Sequence, residues 1–200
     1  MGWLVSRIPA QKIEERKMTA GQWIIAFLMC YGLMYAGNLI GTALTFGIGM
    51  VKGTGVDNPL VSTVMQLNPW VTFIIVLIAP TAEELLFRKL LTERIVKYGE
   101  LAAVLASGLF FGLFHGNLNQ FSYAFLLGLF LGFIYVKTGK LRYTIGLHMA
   151  INFIGSSLGT WMLRVTGYMD TMETLAEFLN TKNLEVLADL GNGIVGMFIF

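Results

Sequence analysis

Charged side chains are scarce in this chain of 200 residues. Asp, Glu, Lys and Arg together make up 13% of the sequence, whereas a typical soluble domain carries about 25%. Hydrophobic residues make up 56%, and the mean hydropathy is +0.68. Because a water-soluble fold of this size could not bury so much apolar surface, the composition predicts an integral membrane protein.

Cysteine and histidine are also nearly absent. With the single Cys30 no internal disulfide is possible, and one cysteine with two histidines cannot form a His/Cys structural zinc site. The sequence has no basic stripe interleaved with aromatic residues, so nucleic acid is not an expected partner. The first 21 residues carry acidic and basic side chains and lack the short apolar core of a secretory signal.

Long charge-free runs dominate the rest of the chain, and about 20 apolar residues are enough to span a bilayer. The runs are Trp23–Val51, the apolar segment Trp70–Ala79, Leu101–Val136, Tyr143–Leu163 and Leu190–Phe200. The polar break Gly116–Gln120 divides the longest run into two helices joined by a tight turn. We therefore predict an all-α bundle of five or more transmembrane helices that forms a single domain over residues 1–200. The last run ends in mid-helix, which is the pattern of either a truncated chain or a short protein.

Two pairs of glycines on these runs have a spacing that favours close helix packing. Gly37 and Gly41 are four residues apart, as are Gly128 and Gly132. Small residues at this spacing let two helix backbones approach closely. We therefore expect each pair to lie at a helix–helix contact.

Basic residues are distributed unevenly between the loops. If the N-terminus is cytoplasmic, segments 1–21, 88–100 and 137–142 share that side and hold 11 of the 14 Lys and Arg residues. The opposite side then includes the acidic segment 164–189. Because basic loops are retained in the cytoplasm, the distribution predicts a cytoplasmic N-terminus.

Ionisable residues interrupt the apolar segments, where they are rare and usually functional. Glu83, Glu84 and Arg88 lie on one predicted helix. Glu84 fits either a capping box with Thr81 or an ion pair with Arg88 one turn later. Neither accounts for Glu83, which points about 100° away around the helix. A carboxylate left without a partner in an apolar site is a candidate general base, so we predict that Glu83 is catalytic.

Both histidines fall on neighbouring apolar helices. Taken alone, His115 is explained by a helix C-terminus, which favours a positive charge, and His148 with Asn152 by a polar pair that joins two helices. Together with Glu83 they supply a base, two imidazoles and a carboxamide. Water-mediated amide hydrolysis needs this set, because a base deprotonates the water and donors stabilise the oxyanion, each worth about 3 kcal/mol.

Three motifs follow one another on these helices: Glu83-Glu84-x-x-x-Arg88, Phe111-x-x-x-His115 and His148-x-x-x-Asn152. In this order, within residues 80–154, they resemble the core motifs of the CAAX-protease and bacteriocin-processing family, also called the CPBP or Abi family. The resemblance implies an all-helical intramembrane endopeptidase in which Glu83 activates water and His115 assists. It also implies that His148 and Asn152 form the oxyanion hole and that Glu84 and Arg88 support the first motif.

A metal-free glutamate mechanism is the prediction for this site. The HExxH motif is absent, and Arg88 would repel a cation held one turn away. Zinc bound by Glu83, His115 and His148 is the less favoured alternative, since members of the family are often labelled metalloproteases. No other cofactor is expected.

The expected partners are membrane lipid and a substrate at the membrane. Arg88 near the cytoplasmic boundary puts Glu83 about a turn and a half inside it, which suits a bond in a membrane-associated or lipidated peptide or protein. Short loops without an organelle-targeting segment predict the plasma membrane of a prokaryote, where the resemblance implies bacteriocin processing, self-immunity or peptide signalling. The alternatives are a non-proteolytic immunity or regulatory protein on the same fold, a proton-coupled transporter and a structural bundle. The sequence predicts no oligomeric state.

Overall fold

The computed structural model describes residues 8–53 and 68–158, together with residues 161 and 165. Its framework is five helices: α1 (Ala20–Lys52), α2 (Pro69–Glu84), α3 (Glu100–Phe114), α4 (Leu118–Thr138) and α5 (Leu141–Asn152). A π-helical segment, Leu85–Thr92, extends α2, and short helical turns at Glu93–Ile95 and Val96–Tyr98 lead to α3. The described residues contain no β-strand, which confirms the predicted all-α class.

The chain divides into two compact units, Met1–Asn152 and Phe153–Phe200. All five helices belong to the first unit. In the second, the structure describes a π-helical segment, Phe153–Leu158. The terminal run 190–200 and all of the acidic segment 164–189 except residue 165 lie outside the described residues.

Local side chains set the ends of the helices. Thr19 begins α1 with a capping box: its hydroxyl accepts from the Gln22 N–H at 3.2 Å, and Gln22 Oε1 accepts from the Thr19 N–H at 2.9 Å. Asn68 and Asn117 cap α2 and α4 through their side-chain oxygens. The turn between α3 and α4 falls inside the predicted polar break, where Gly116 takes a φ of +70° that favours glycine.

Within the described residues, three helical stretches are long and apolar enough to cross a membrane: Ala20–Lys52, Trp70–Tyr98 and Leu118–Thr138. Only 22% and 28% of the apolar windows of the first two are buried, compared with 56% for the third. The rest of their surface carries large exposed apolar side chains, as expected of helices that face lipid. These helices support a membrane protein, whereas the count of five or more spans stays a prediction.

The predicted span Tyr143–Leu163 is not one continuous α-helix. The α-helical part, α5, has 12 residues and ends at Asn152, after which residues 153–158 are π-helical. The helix α3 is apolar but has 15 residues. The helix α3 is therefore shorter than the length of about 20 residues that spans a bilayer without distortion, whereas α5 and the π-helical segment after it together run from residue 141 to residue 158.

Helix α4 lies at the centre of the first unit and packs against both α1 and α3. A Cβ on Gly37 would lie 2.3 Å from the Cα of Tyr123, and one on Gly41 would lie 2.5 Å from the Asn119 carbonyl oxygen. Toward α3, a Cβ on Gly128 would lie 2.9 Å from the Phe111 side chain. Both predicted glycine contacts are confirmed, and α4 approaches its neighbours so closely because glycine leaves the space.

Hydrogen bonds and ion pairs join the three basic segments that the charge pattern assigned to one side of the membrane. The first segment crosses the ends of the helices and bonds to carbonyl groups there. The contacts are the Gln11 N–H to the Glu93 carbonyl at 2.6 Å, the Arg16 N–H to the Thr138 carbonyl at 2.9 Å, and the ion pairs Lys140–Glu15 and Lys137–Glu100. The three segments are therefore neighbours in the fold.

Gly37→Ala is expected to destabilise the protein, because the added Cβ meets backbone atoms of α4 that cannot move without separating the helices. Overpacking of this kind costs about 1–3 kcal/mol. Gly32→Ala is the matched control, since nothing lies within 4 Å of a Cβ at Gly32 on the same helix. Thermal unfolding in detergent should show a lower Tm for Gly37→Ala alone, and equal Tm values would contradict the close contact.

Candidate active site

The helix that carries the first motif begins at Pro69, well before Thr81. The Thr81 hydroxyl donates to the Leu77 carbonyl at 2.9 Å, so Thr81 lies inside α2. The capping-box interpretation of Thr81 and Glu84 is therefore wrong. Thr and Glu three residues apart suggested the start of a helix. They form a capping box only where no helical turn precedes them, and here α2 is already under way.

A widened helical turn follows the two glutamates. Pro80, inside α2, has no N–H to donate to the preceding turn. From Leu85 the helix is π-helical, and the Thr92 hydroxyl donates to the carbonyl of Phe87, five residues earlier, at 2.8 Å. Such π-helical turns are rare and recur at functional sites. Here the turn carries Arg88 into the interior.

Glu84 and Arg88 form a fully buried ion pair. Both side chains are 0% exposed, and Arg88 Nε lies 3.0 Å from Glu84 Oε2. Neither atom has a hydrogen-bond partner, so their attraction is Coulombic, in surroundings where it is only weakly screened. Arg88 Nη2 also donates to the Gly128 carbonyl at 3.5 Å, and its guanidinium lies 4.9 Å from the centre of the Phe111 ring. The ion-pair interpretation of these two residues is confirmed.

His148 lies between the two glutamates. Its Nδ1 is 3.0 Å from Glu84 Oε1, its Nε2 is 3.6 Å from Glu83 Oε2, and its side chain is 3% exposed. Because an ionised carboxylate can only accept, Nδ1 carries a proton and Nε2 faces Glu83. The Thr144 side chain also contacts the Glu84 carboxylate. One helix, α5, thus brings its imidazole into contact with both carboxylates of α2.

The adjacent glutamates differ in their access to solvent. Glu84 is 0% exposed and bound to Arg88 and His148, whereas the Glu83 side chain is 18% exposed. A helix turns by about 100° per residue, so neighbours in sequence face different surroundings. Glu83 is therefore the more accessible carboxylate of the two.

His115 is the residue that ends α3. Its own N–H bonds to the Gly112 carbonyl at 3.3 Å, and its Nδ1 lies 2.9 Å from the Phe111 carbonyl. A carbonyl can only accept, so Nδ1 carries the proton and Nε2 has the lone pair in the neutral ring. His115 thus caps its helix and still offers a proton acceptor.

Phe111 lies against both imidazoles. The centre of its ring is 5.0 Å from that of His115 and 5.4 Å from that of His148, both edge-on. In the part of the chain that the structure describes, His148 forms an ion-pair contact with Glu83 and His115 does not. The two histidines are therefore neighbours of one aromatic ring, and His148 is the one in direct contact with the carboxylates.

Asn152 is the last residue of α5, one turn beyond His148, and it is partly buried. Residues four apart lie on one face of a helix, so Asn152 and Thr144 flank His148 on the same face. The sequence prediction included Asn152 but missed Thr144, which the same spacing could have found. It also missed the Gly128 carbonyl, for which no side chain gives a signal.

Of the possible zinc ligands, Glu83 and His148 are neighbours. Among the residues that the structure describes, no three His, Cys, Asp or Glu side chains converge as a metal-binding group. The Glu84 carboxylate is already paired with Arg88. Zinc bound by Glu83, His115 and His148 therefore stays the less favoured alternative.

These features define a helical membrane protein with a buried carboxylate–imidazole–carboxylate cluster. Residues 65–154 match the Rce1-like family, described as Type II CAAX prenyl endopeptidase Rce1-like. The match contains all three motifs, confirms the resemblance found in the sequence, and supports a membrane protease of the CAAX type. No curated protein and no solved structure matches the chain.

Arg88→Met is expected to destabilise the protein by about 3–5 kcal/mol, because it leaves Glu84 as an uncompensated buried charge. Arg16→Met is the matched control: Arg16 pairs with Glu14 at 2.9 Å, but their side chains are 67% and 76% exposed, so its loss should cost at most about 1 kcal/mol. Denaturation in detergent measures both. Equal losses would show that the buried pair contributes no more than the exposed one.

Proposed function

We propose that this protein is an intramembrane endopeptidase that hydrolyses a peptide bond in a membrane-associated or lipidated peptide or protein. The observation that carries the proposal is the position of His148, 3.6 Å from Glu83 and 3.0 Å from Glu84. This cluster lies inside the segment that matches a CAAX-type endopeptidase family. Its apolar surroundings strengthen every electrostatic contact that a reacting peptide would make there.

Glu83 acts as the general base. Its carboxylate takes a proton from water while the water oxygen forms a bond to the carbonyl carbon of the scissile peptide. When the carbon–nitrogen bond breaks, Glu83 returns the proton to the leaving amine. His115 assists in positioning the water through Nε2, the ring nitrogen whose lone pair the Phe111 contact leaves available.

His148 and Asn152 stabilise the tetrahedral intermediate. With Nδ1 donating to Glu84, His148 directs Nε2 to the side of Glu83, where the oxyanion develops, and it donates to the oxyanion when Nε2 carries a proton. The Asn152 carboxamide, one turn further along α5, supplies the second donor. Donors fixed before the reaction are effective because they need no reorganisation as charge develops.

Glu84 and Arg88 support this arrangement without touching the substrate. Glu84 holds the orientation and the Nδ1 proton of His148, and Arg88 balances the Glu84 charge. The proposed mechanism is of the glutamate type without a metal, and the pairing of Glu84 with Arg88 supports it.

We propose five or more spans with a cytoplasmic N-terminus in the plasma membrane of a prokaryote. The contacts between the three basic segments support their common side, and the positive-inside rule assigns that side to the cytoplasm. A single cysteine placed at Lys97, with Cys30 replaced by Ser, should react with an impermeant maleimide only after the cells are opened. Labelling of intact cells would reverse the proposed orientation.

The substrates that fit this location are leader peptides, small secreted peptides such as bacteriocins, and membrane regulators. A bond presented from the cytoplasmic boundary lies close to the level of Glu83, since Arg88 on the same helix begins the basic segment 88–100. Lipid is the second partner, because the exposed faces of α1 and α2 are apolar.

Glu83→Gln should lower the cleavage rate by about 100-fold to 10,000-fold, since it removes the base and keeps the shape of the side chain. Purified protein in nanodiscs would be incubated with membrane-derived and lipidated peptides, and the products read by mass spectrometry. His148→Ala should be similarly impaired. Glu100→Gln, which changes an exposed carboxylate paired with Lys137, is the control and should cleave like the wild type.

The same assay with a chelator tests the metal-free mechanism, for which wild-type cleavage should persist. A loss that zinc restores would replace it with a zinc mechanism. If Glu83→Gln matches the wild type in cleavage, Glu83 is not the base. If neither cleaves any peptide and both rescue the same cellular phenotype, the chain is an immunity or regulatory protein on a protease fold.

A further inference from the structure

Tyr123 is the residue of α4 at its closest approach to α1. A Cβ on Gly37 would lie 2.3 Å from the Tyr123 Cα and 2.8 Å from its backbone nitrogen. Two helix backbones in contact at this point leave the base of the Tyr123 side chain no room to shift. The side chain therefore begins from a fixed position, although no sequence motif includes it.

The Tyr123 ring packs in the cluster formed by Phe87, Phe111 and Ala124. Its centre lies 6.2 Å from that of the His115 imidazole, with an interplanar angle of 69°. Phe111 approaches the same imidazole at 5.0 Å. Among the described residues, the rings that contact His115 are those of Phe111, Phe114 and Tyr123, of which Tyr123 alone carries a hydroxyl group.

Hydrogen bonds lead from the end of α3 to the first turn of α4, just before Tyr123. Asn117 Nδ2 donates to the Gln120 Oε1 at 2.5 Å and lies 3.4 Å from the His115 carbonyl, to which it also donates. Gln120 is three residues before Tyr123, so the two side chains are neighbours on one face of the helix. Since Gln120 Oε1 already accepts from Asn117, its amide nitrogen is the group that can donate toward the Tyr123 hydroxyl. A phenol that accepts such a bond keeps its own proton for another acceptor.

The charge of the Glu83 carboxylate acts on the Tyr123 hydroxyl through space. Glu83 is also partly exposed, so a water molecule has access to the space that it borders. A phenolic proton directed to this side would be attracted to the carboxylate or to the water beside it. Tyr123 thus contacts His115 through its ring and lies in the field of the Glu83 charge, on a helix that supplies no other residue to the proposed catalytic set.

We infer that Tyr123 is a positioning residue of the site: its ring restrains the His115 imidazole, and its hydroxyl orients the Glu83 carboxylate and its water. The expected effect of Tyr123 on turnover rests on the proposed function. Its expected effect on the His115 imidazole does not, because that effect follows from the ring contact.

Tyr135 provides a matched control on the same helix. It is a buried tyrosine whose hydroxyl donates to Glu93 Oε1 at 2.8 Å, away from the histidines. Removing either hydroxyl by substitution with Phe deletes one oxygen from a largely buried phenol of α4. Any difference between the two variants therefore reports the location of the hydroxyl and not the general loss of a buried polar group.

The chain has two histidines, so nitrogen-15 labelling of histidine gives only two sets of imidazole signals. Spectra of wild type, Tyr123→Phe and Tyr135→Phe would be recorded in nanodiscs with a purification tag free of histidine, and His115→Gln assigns the signals. Tyr123→Phe should move the His115 nitrogen signals, whereas Tyr135→Phe should leave them in place. Unchanged His115 signals in Tyr123→Phe would overturn the inference, whether or not the wild type cleaves peptides.

Cleavage kinetics provide the second measurement once a substrate is known. Tyr123→Phe should lower kcat by about 10-fold to 100-fold with KM within about twofold of the wild type, because misplaced reacting groups slow the chemical step. Tyr135→Phe should keep the wild-type kcat. A Tyr123→Phe enzyme with wild-type kcat, or one that loses activity only in proportion to its folded fraction, would overturn the positioning role. Wild-type protein that cleaves nothing would instead overturn the proposed function and leave the imidazole spectra to decide.

Discussion

The charge on Glu84 constrains the arrangement of the helices around it. A carboxylate that is 0% exposed among apolar side chains would cost several kcal/mol if it stood alone. Arg88 from the π-helical turn and His148 from α5 both contact it, and Arg88 reaches on to the Gly128 carbonyl of α4. Phe111 of α3 lies beneath the guanidinium. The compensation of one buried charge therefore joins α2, α3, α4 and α5.

The same compensation separates the surroundings of two adjacent glutamates. Glu84 is held by Arg88 and His148. Glu83, one residue earlier, faces a different direction and keeps partial exposure. His148 bonds to Glu84 through Nδ1 and faces Glu83 through Nε2. The buried pair of Glu84 and Arg88 thus places a fixed imidazole beside a second, partly exposed carboxylate.

Close packing of α4 makes this geometry possible. The glycines on α1 and α4 remove the side chains that would hold the helices apart, so Tyr123 and Gly128 lie against their neighbours at backbone distance. Lipid provides no hydrophobic force to drive such contacts, and close van der Waals packing replaces it. The exposed faces of α1 and α2 remain apolar, which separates a lipid-facing exterior from a polar cluster in the interior.

The sequence by itself determined the all-α class, the apolar helices, the turn after His115 and the glycine contacts, because composition and spacing act locally along one helix. It also determined the Glu84–Arg88 pair, since residues four apart on a helix are neighbours whatever surrounds them. It failed at Thr81, where a helix already in progress removed the need for a cap, and it did not predict the change from α-helix to π-helix after Asn152. Only the tertiary structure decided that His148 is the histidine in contact with Glu83 and that Tyr123 adjoins His115. Those contacts cross between helices, and the distance between helices depends on packing that no single helix encodes.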